Sequence, residues 1–211
     1  MTRGCFITLE GTEGAGKTTA LAHIVAWLKH RNIPYMLTRE PGGTPIAEEI
    51  RQLVLSPRDE QVVPLSELLL VFAARAQHIE KLIKPTLSQG TWVVCDRFTD
   101  STYAYQGGGR QLPFEPIVQL ENLVQAGFQP DLTLLLDVTP EVGMRRASRR
   151  SAADRIEQEA MSFFQRARQA FLARAESAPE RFRVINADQN LESVKDQITQ
   201  ALSGWSELHR G

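Results

Sequence analysis

Cysteine is scarce: the 211 residues include only Cys5 and Cys95, each inside a short apolar run that reads as a strand. Thiols in that setting are expected to be reduced and buried, so neither a disulfide framework nor a cysteine metal site is expected. Long hydrophobic runs are missing too. None approaches the ~18 residues of a membrane helix, and the N-terminal stretch has no secretory apolar region, so the expected compartment is a reducing cytoplasm with no membrane partner. Charge of one sign is also lacking, since the net charge is −1; without an overall basic field no nucleic-acid partner is expected, and the charged partner should be small. No repeat, low-complexity tract or linker divides the chain. With 42% hydrophobic residues it can bury a sizeable core, and one domain over 1–211 is expected.

What is present is a phosphate-binding pattern. Gly11-Thr12-Glu13-Gly14-Ala15-Gly16-Lys17-Thr18 fits the Walker A form G-x-x-x-x-G-K-[ST]. The apolar run Cys5–Leu9 before it reads as a strand. Ala20-Leu21, Ile24-Val25 and Trp27-Leu28 after it recur at helical spacing. Glycines let successive N–H groups converge on phosphate oxygens, and the helix N-terminus adds its positive dipole end. Lys17 is expected at the β- and γ-phosphates and the Thr18 hydroxyl at Mg²⁺. These eight residues predict a nucleoside triphosphate site.

Further strands are predicted at Tyr35–Thr38, Trp92–Asp96, Leu132–Asp137 and Phe182–Asn186, with helical patterns between them. Alternation of this kind predicts an α/β fold, a parallel sheet with helices on both faces, whose ligands gather at the carboxyl ends of the strands. Gly11 onwards, Arg39-Glu40-Pro41 and Asp96-Arg97 all fall there. Trp92–Asp96 has the Walker B form, an apolar strand ending in a carboxylate able to meet Mg²⁺. Leu134–Asp137 has it too, but only Asp96 is followed by an arginine, which places a bidentate phosphate-binding fork beside the carboxylate. Asp137 is expected to end its strand, with Thr139-Pro140-Glu141 opening the next helix.

Five arginines, Arg145, Arg146, Arg149, Arg150 and Arg155, crowd the stretch 144–155. Such a run is either a solvated helix face or a movable lid that brings a guanidinium to the transferring phosphoryl group, where it accelerates transfer about 10³- to 10⁵-fold. Ser151-Ala152-Ala153 would let the segment close and exclude water. No Asn-Lys-x-Asp guanine-reading element occurs, which favours transfer chemistry over a nucleotide switch.

Together, the P-loop with Glu13, Thr38-Arg39-Glu40-Pro41-Gly42-Gly43-Thr44, Asp96-Arg97, Ala104-Tyr105-Gln106-Gly107, Pro130-Asp131-Leu132-Thr133 and Asp154-Arg155-Ile156-Glu157 resemble the bacterial thymidylate kinases over nearly the whole chain. The resemblance implies a three-layer P-loop kinase fold with a five-stranded parallel sheet and a lid segment. It also implies transfer of the γ-phosphoryl of ATP to dTMP with Mg²⁺, giving dTDP for dTTP synthesis, in a homodimer. It puts Arg39, Glu40 and Arg97 on the acceptor side, with the two arginines toward the dTMP phosphate, and Glu13 near the 3′-hydroxyl. Arg51, Thr102 and Gln106 fall near the acceptor nucleotide or its base, and Tyr105 where a ribose 2′-hydroxyl would project. Family members place the phenylalanine that stacks on thymine four residues before the arginine that contacts the base. Here Phe72 stands three before Arg75 and Val71 holds the fourth position, so either Phe72 turns into the site or Val71 covers the base. Another branch carries a catalytic arginine in the P-loop where this chain has Gly14. The family has a second pattern in which the lid supplies that arginine, and the run Arg145 to Arg155 fits it; spacing alone does not single one out, with Arg149 and Arg150 favoured and Arg97 and Lys17 as catalytic companions.

Overall fold

The structure, a computed structural model, describes residues 3–148 and 154–208. Five strands, β1 (Phe6–Glu10), β2 (Tyr35–Arg39), β3 (Trp92–Asp96), β4 (Leu132–Asp137) and β5 (Phe182–Asn186), form one parallel sheet in the order β2-β3-β1-β4-β5. All five predicted strands are found, each within one residue of its predicted ends. β1 is buried throughout and β4 up to its last residue, as expected of parallel strands covered on both faces. β2, at one edge, is largely exposed.

Alternate residues of β1 feed two cores. Ile7 and Leu9 pack with Ile24 and Leu28 of α1 (Lys17–His30) and with Ile198 and Leu202 of α9 (Leu191–Leu208). Phe6 points to the opposite face, where it meets Ile79, Ile83, Leu87 and Phe98. The layers are therefore helix, sheet, helix.

On the second face α3 (Pro64–His78) runs through a π-helical turn, Ile79–Ile83, into α4 (Lys84–Ser88). α2 (Pro45–Leu55) packs beside α3, its start capped by the Thr44 hydroxyl, which accepts from the Ala47 N–H at 3.4 Å. The short α5 (Thr99–Thr102) leads into a second π-helical segment, Tyr103–Gly109, of a kind that recurs at functional sites. It lies against α8 (Met161–Ser177) so closely that a Cβ on Gly108 would stand 2.8 Å from the Arg166 carbonyl oxygen. α6 (Phe114–Gln125) and α7 (Pro140–Ala147) complete the described helices.

Register sets the site. Leu9 and Arg39 both pair with Asp96, so the start of the P-loop, Arg39-Glu40 and Asp96-Arg97 emerge at one edge of the sheet. The chain leaves β1 toward β3 on one side and β4 on the other. That reversal opens a crevice at the carboxyl ends.

Candidate active site

The P-loop bends through Gly11, Gly14 and Gly16, at φ +139°, +70° and +93°. Gly16 precedes α1 in the left-handed conformation and contributes no side-chain cap, so the first-turn N–H groups stay open to an anion. The back of the loop touches α7 backbone to backbone. A Cβ on Gly14 would stand 1.8 Å from the Gly143 carbonyl oxygen, and one on Gly143 would stand 2.4 Å from that of Glu13. The half-buried Lys17 donates its Nζ to the carbonyls of Gly11 and Thr12 at 3.1 and 3.3 Å. Burial, followed by the nearby Arg97 guanidinium, lowers its pKa to about 8 against the pull of Asp96, Glu13 and Glu10.

Asp96 and Arg97 face this loop across a cleft of about 310 Å³. Asp96 Oδ1 is sealed from solvent and accepts no hydrogen bond, whereas both oxygens of Asp137 are taken by Arg168 at 2.7 and 2.8 Å. Arg97 adopts φ +72°, a strained conformation for a non-glycine residue. Its own N–H to Leu9 O at 3.0 Å holds it there, together with the Cys95 thiol donating to its carbonyl and the Phe98 N–H donating to Glu10 Oε1 at 2.7 Å. The guanidinium donates to Gly11 O at 2.9 Å, Ser101 Oγ at 3.2 Å and Glu13 Oε1 at 2.9 Å. Glu13 also accepts from the Tyr105 hydroxyl at 2.8 and 2.9 Å. Burial, first among several causes, keeps that phenol well above its usual pKa and therefore neutral.

The far end of the cleft rests on buried ion pairs. Arg75, 1% exposed, donates Nε to Glu40 Oε2 at 2.7 Å and one terminal nitrogen to Thr102 Oγ1 at 3.0 Å, while its other terminal nitrogen has no partner. Glu40 Oε1 pairs with His78 Nδ1 at 2.9 Å, and His78 Nε2 with Thr38 Oγ1 at 2.7 Å. Gln106 donates to Glu67 at 2.8 Å. Arg51 donates to Pro41 O at 2.8 Å and the exposed Arg39 to Glu48 at 3.0 Å, both on the cleft wall. A second hollow lies on the other side of the P-loop, lined by Thr18, Arg146, Gln189, Val194 and Lys195.

Phe72 and Val71, the two alternatives for covering the base, stand in different places. Phe72 is 1% exposed, packs with Leu68, Tyr103 and Ile117, and lies beneath the Arg75 guanidinium at 4.8 Å rather than on the cleft wall, where Val71 stands. Residues four apart share a helix face and adjacent ones diverge by about 100°; Val71 therefore shares the Arg75 face and Phe72 the Leu68 face. The favoured lid residues Arg149 and Arg150, and the hinge 151–153, lie outside the described residues. Arg155 is engaged by Glu67 and by Val54 O at 2.8 Å.

Three residues at this site had no sequence expectation. Glu10, fully buried, accepts from Ser101 Oγ at 2.6 Å, and burial with Asp100 nearby pushes its pKa up to about 8. Glu67 and His78 are also fully buried. A legible signal did exist: Glu67, Val71, Arg75 and His78 recur every three or four residues, so they form one stripe along α3.

Open backbone N–H groups, an unpartnered carboxylate oxygen and a guanidinium cluster at one crevice suit phosphoryl transfer chemically. The thymidylate kinase family model matches residues 9–198. The chain is 53% identical to the thymidylate kinase of Pseudomonas putida (strain GB-1) over 208 residues, 99% of each chain. It is 55% identical to that of Hahella chejuensis (strain KCTC 2396), covering 96% of this chain and 98% of the relative. Among solved structures, the crystal structure of thymidylate kinase from Ehrlichia chaffeensis superposes with a TM-score of 0.75 at 35% identity, covering 95% of this chain and 99% of the other. With a fold, a crevice and matches that agree across nearly its whole length, the chain belongs to the thymidylate kinase family.

Proposed function

We propose that the protein transfers the γ-phosphoryl group of ATP to dTMP, giving ADP and dTDP. The observation that carries this reading is the single cleft that runs from Lys17, Thr18 and Asp96, past Arg97, to Arg75 and Gln106. A phosphate oxygen of the acceptor attacks the γ-phosphorus as the bond to the bridging β-oxygen breaks. The backbone of 11–18 cradles the triphosphate, and Lys17 exchanges the carbonyls of Gly11 and Thr12 for phosphate oxygens. The hollow beside Arg146 and Lys195 receives the nucleoside of ATP. Arg97 and Arg39 grip the acceptor phosphate, and Arg51 supports that side of the wall. Glu13 meets the sugar, Tyr105 closes the space of a 2′-hydroxyl, Val71 covers the base, and Arg75, Thr102 and Gln106 read its edge. Glu40 acts by fixing Arg75.

Asp96 and Thr18 fit Mg²⁺, which keeps waters and substrate phosphates as ligands and needs only one or two protein oxygens. The sealed, unpartnered Asp96 Oδ1 and the exposed Thr18 hydroxyl lie on the same cleft. When bound, the ion neutralises charge on the β- and γ-oxygens. The stretch 144–155 is the lid of a single kinase domain. Gly14 has no room for a side chain and Arg155 is held by Glu67; this supports a catalytic arginine elsewhere in the lid run, for which Arg149 and Arg150 are the favoured pair.

The protein works in the cytoplasm as a homodimer. Helices α2, α3 and α6 pack side by side and expose apolar pairs at helical repeats, Ile46 with Leu53, Leu65 with Leu69, and Phe114 with Val118. Sedimentation velocity is expected to give a dimer that Leu69→Glu converts to monomer; a wild-type monomer excludes it. Among the described residues no helix is long and apolar enough to cross a membrane.

Thermal melting with a panel of nucleoside monophosphates tests the central reading. dTMP at a hundred times its Kd stabilises by about 2.7 kcal/mol, and other monophosphates at that concentration are expected to do less. No shift with dTMP, or ATP hydrolysis indifferent to dTMP, refutes it.

A further inference from the structure

Glu67 is a carboxylate with no exposure at all, placed one helical turn before Val71 on the stripe that ends in Arg75 and His78. Four donors converge on it. Oε1 accepts from Gln106 Nε2 at 2.8 Å and Arg110 Nε at 3.3 Å, and Oε2 accepts from a terminal nitrogen of Arg110 at 3.2 Å and, in a short bond, from Arg155. Burial alone would raise its pKa, but the Gln106 amide and the two guanidinium groups outweigh that and hold it below the usual value. An ionised carboxylate only accepts hydrogen bonds, so it can take only the NH₂ side of the Gln106 amide. The Gln106 carbonyl oxygen is left over. Among the described residues nothing donates to it, and Gln106 lines the cleft. Arg75, on the same wall, has the opposite kind of vacancy, a terminal N–H group sealed from solvent and without an acceptor.

We propose that Glu67 is a positioning residue for base selection: by fixing the polarity of Gln106 it makes the pocket wall a donor from Arg75 beside an acceptor from Gln106. Thymine offers the complement, the O4 acceptor beside the N3–H donor. Cytosine offers the reverse, an exocyclic amine beside a bare N3, and would set donor against donor and acceptor against acceptor. Uracil has the same edge as thymine, so this pair does not reject it. A site built to hydrogen-bond one pattern discriminates strongly, because a mismatched base leaves buried groups unpaired. The proposal rests on the reading of dTMP as acceptor.

The test is the ratio of kcat/KM for dTMP over dCMP, with ATP, in the wild type and in Glu67→Gln, Gln106→Ala and the double variant. A glutamine at 67 can present either NH₂ or C=O to Gln106, so the amide is free to reverse. The ratio is expected to fall about tenfold or more in Glu67→Gln, mostly through the KM for dTMP with kcat little changed. The double variant should discriminate no worse than Gln106→Ala alone, because both changes remove one device. If Glu67→Gln does not fold, Glu67→Gln with Arg110→Gln removes the unbalanced core charge and takes its place. A wild-type ratio in a folded Glu67 variant, or losses that multiply in the double variant, overturns the proposal and leaves Glu67 a core ion pair. A wild-type protein that fails to phosphorylate dTMP overturns the acceptor reading itself.

Discussion

The two ends of the cleft are built from different materials. At the P-loop end the ligand-facing surface is mostly main chain: glycine turns, open N–H groups and one lysine resting on carbonyl oxygens. At the other end it is side chain throughout, and almost every polar atom is already paired, Glu40 with Arg75 and His78, Glu67 with Gln106, Arg110 and Arg155. On the proposed function, the difference follows from what each end would bind. A polyphosphate offers charge in every direction, and converging amides with a point-charge ammonium suffice. A base offers a few donors and acceptors in one plane, which only side chains fixed by buried partners can meet.

Breaking the donor end should therefore cost activity and spare the fold. Lys17→Ala is expected to lower kcat/KM for ATP by about 10²- to 10³-fold or more with little change in melting temperature, since the lysine rests on backbone carbonyls at the cleft. Steady-state kinetics beside a thermal melt check both halves. Breaking the acceptor end should cost the fold as well. Glu40→Gln leaves Arg75 without its buried counter-charge, and removal of one partner of such a pair costs about 3–5 kcal/mol, less here because the amide can still bond. A fall in melting temperature, with dTMP KM raised and ATP affinity preserved, is the expected pattern; a loss confined to ATP would reverse the comparison.

The mildest probe is pH. With the Lys17 pKa lowered to about 8 in the ligand-free protein, the charged amine is present below that value and lost above it. Phosphate oxygens favour the charged form and restore it on binding. The expected profile is a kcat/KM for ATP that falls about tenfold per pH unit above pH 8, while kcat stays flat to higher pH. A kcat/KM that is level through pH 9 removes Lys17 from the titration. For stability the sign is opposite: a lysine with a depressed folded-state pKa binds more protons when unfolded, so this group's contribution rises from pH 8 to its ordinary value near 10.5.

The same contrast governs what was legible from sequence. Strands buried on both faces are unbroken apolar runs, so all five could be placed, and the P-loop is a local motif because main-chain geometry is encoded locally. The ion pairs are not local. Glu40 and Arg75 are 35 residues apart and Glu67 and Arg155 88 apart, and nothing within one sequence pairs a charge with its partner. The places of Phe72 and Val71 follow a local rule. Spacing to Arg75 decides the helix face, which puts Val71 on the cleft wall, and in the folded chain the Phe72 ring supports the guanidinium from the core side. The π-helical segment under Tyr105 and Gln106, by contrast, is set by its packing on α8.

The contact between Gly14 and Gly143 bears on how such a kinase can change over time. A side chain at position 14 requires α7, the helix that leads into the proposed lid, to retreat. If the lid supplies the catalytic arginine, as proposed, that arginine could not move to the loop through one substitution at position 14, because the variant would carry both the clash and a left-handed backbone strained for a residue with a Cβ. The two ways of delivering that cation are separated by a packing barrier. Positions 14 and 143 should vary together, and grafting a loop arginine onto this chain will require redesign of the helix behind it.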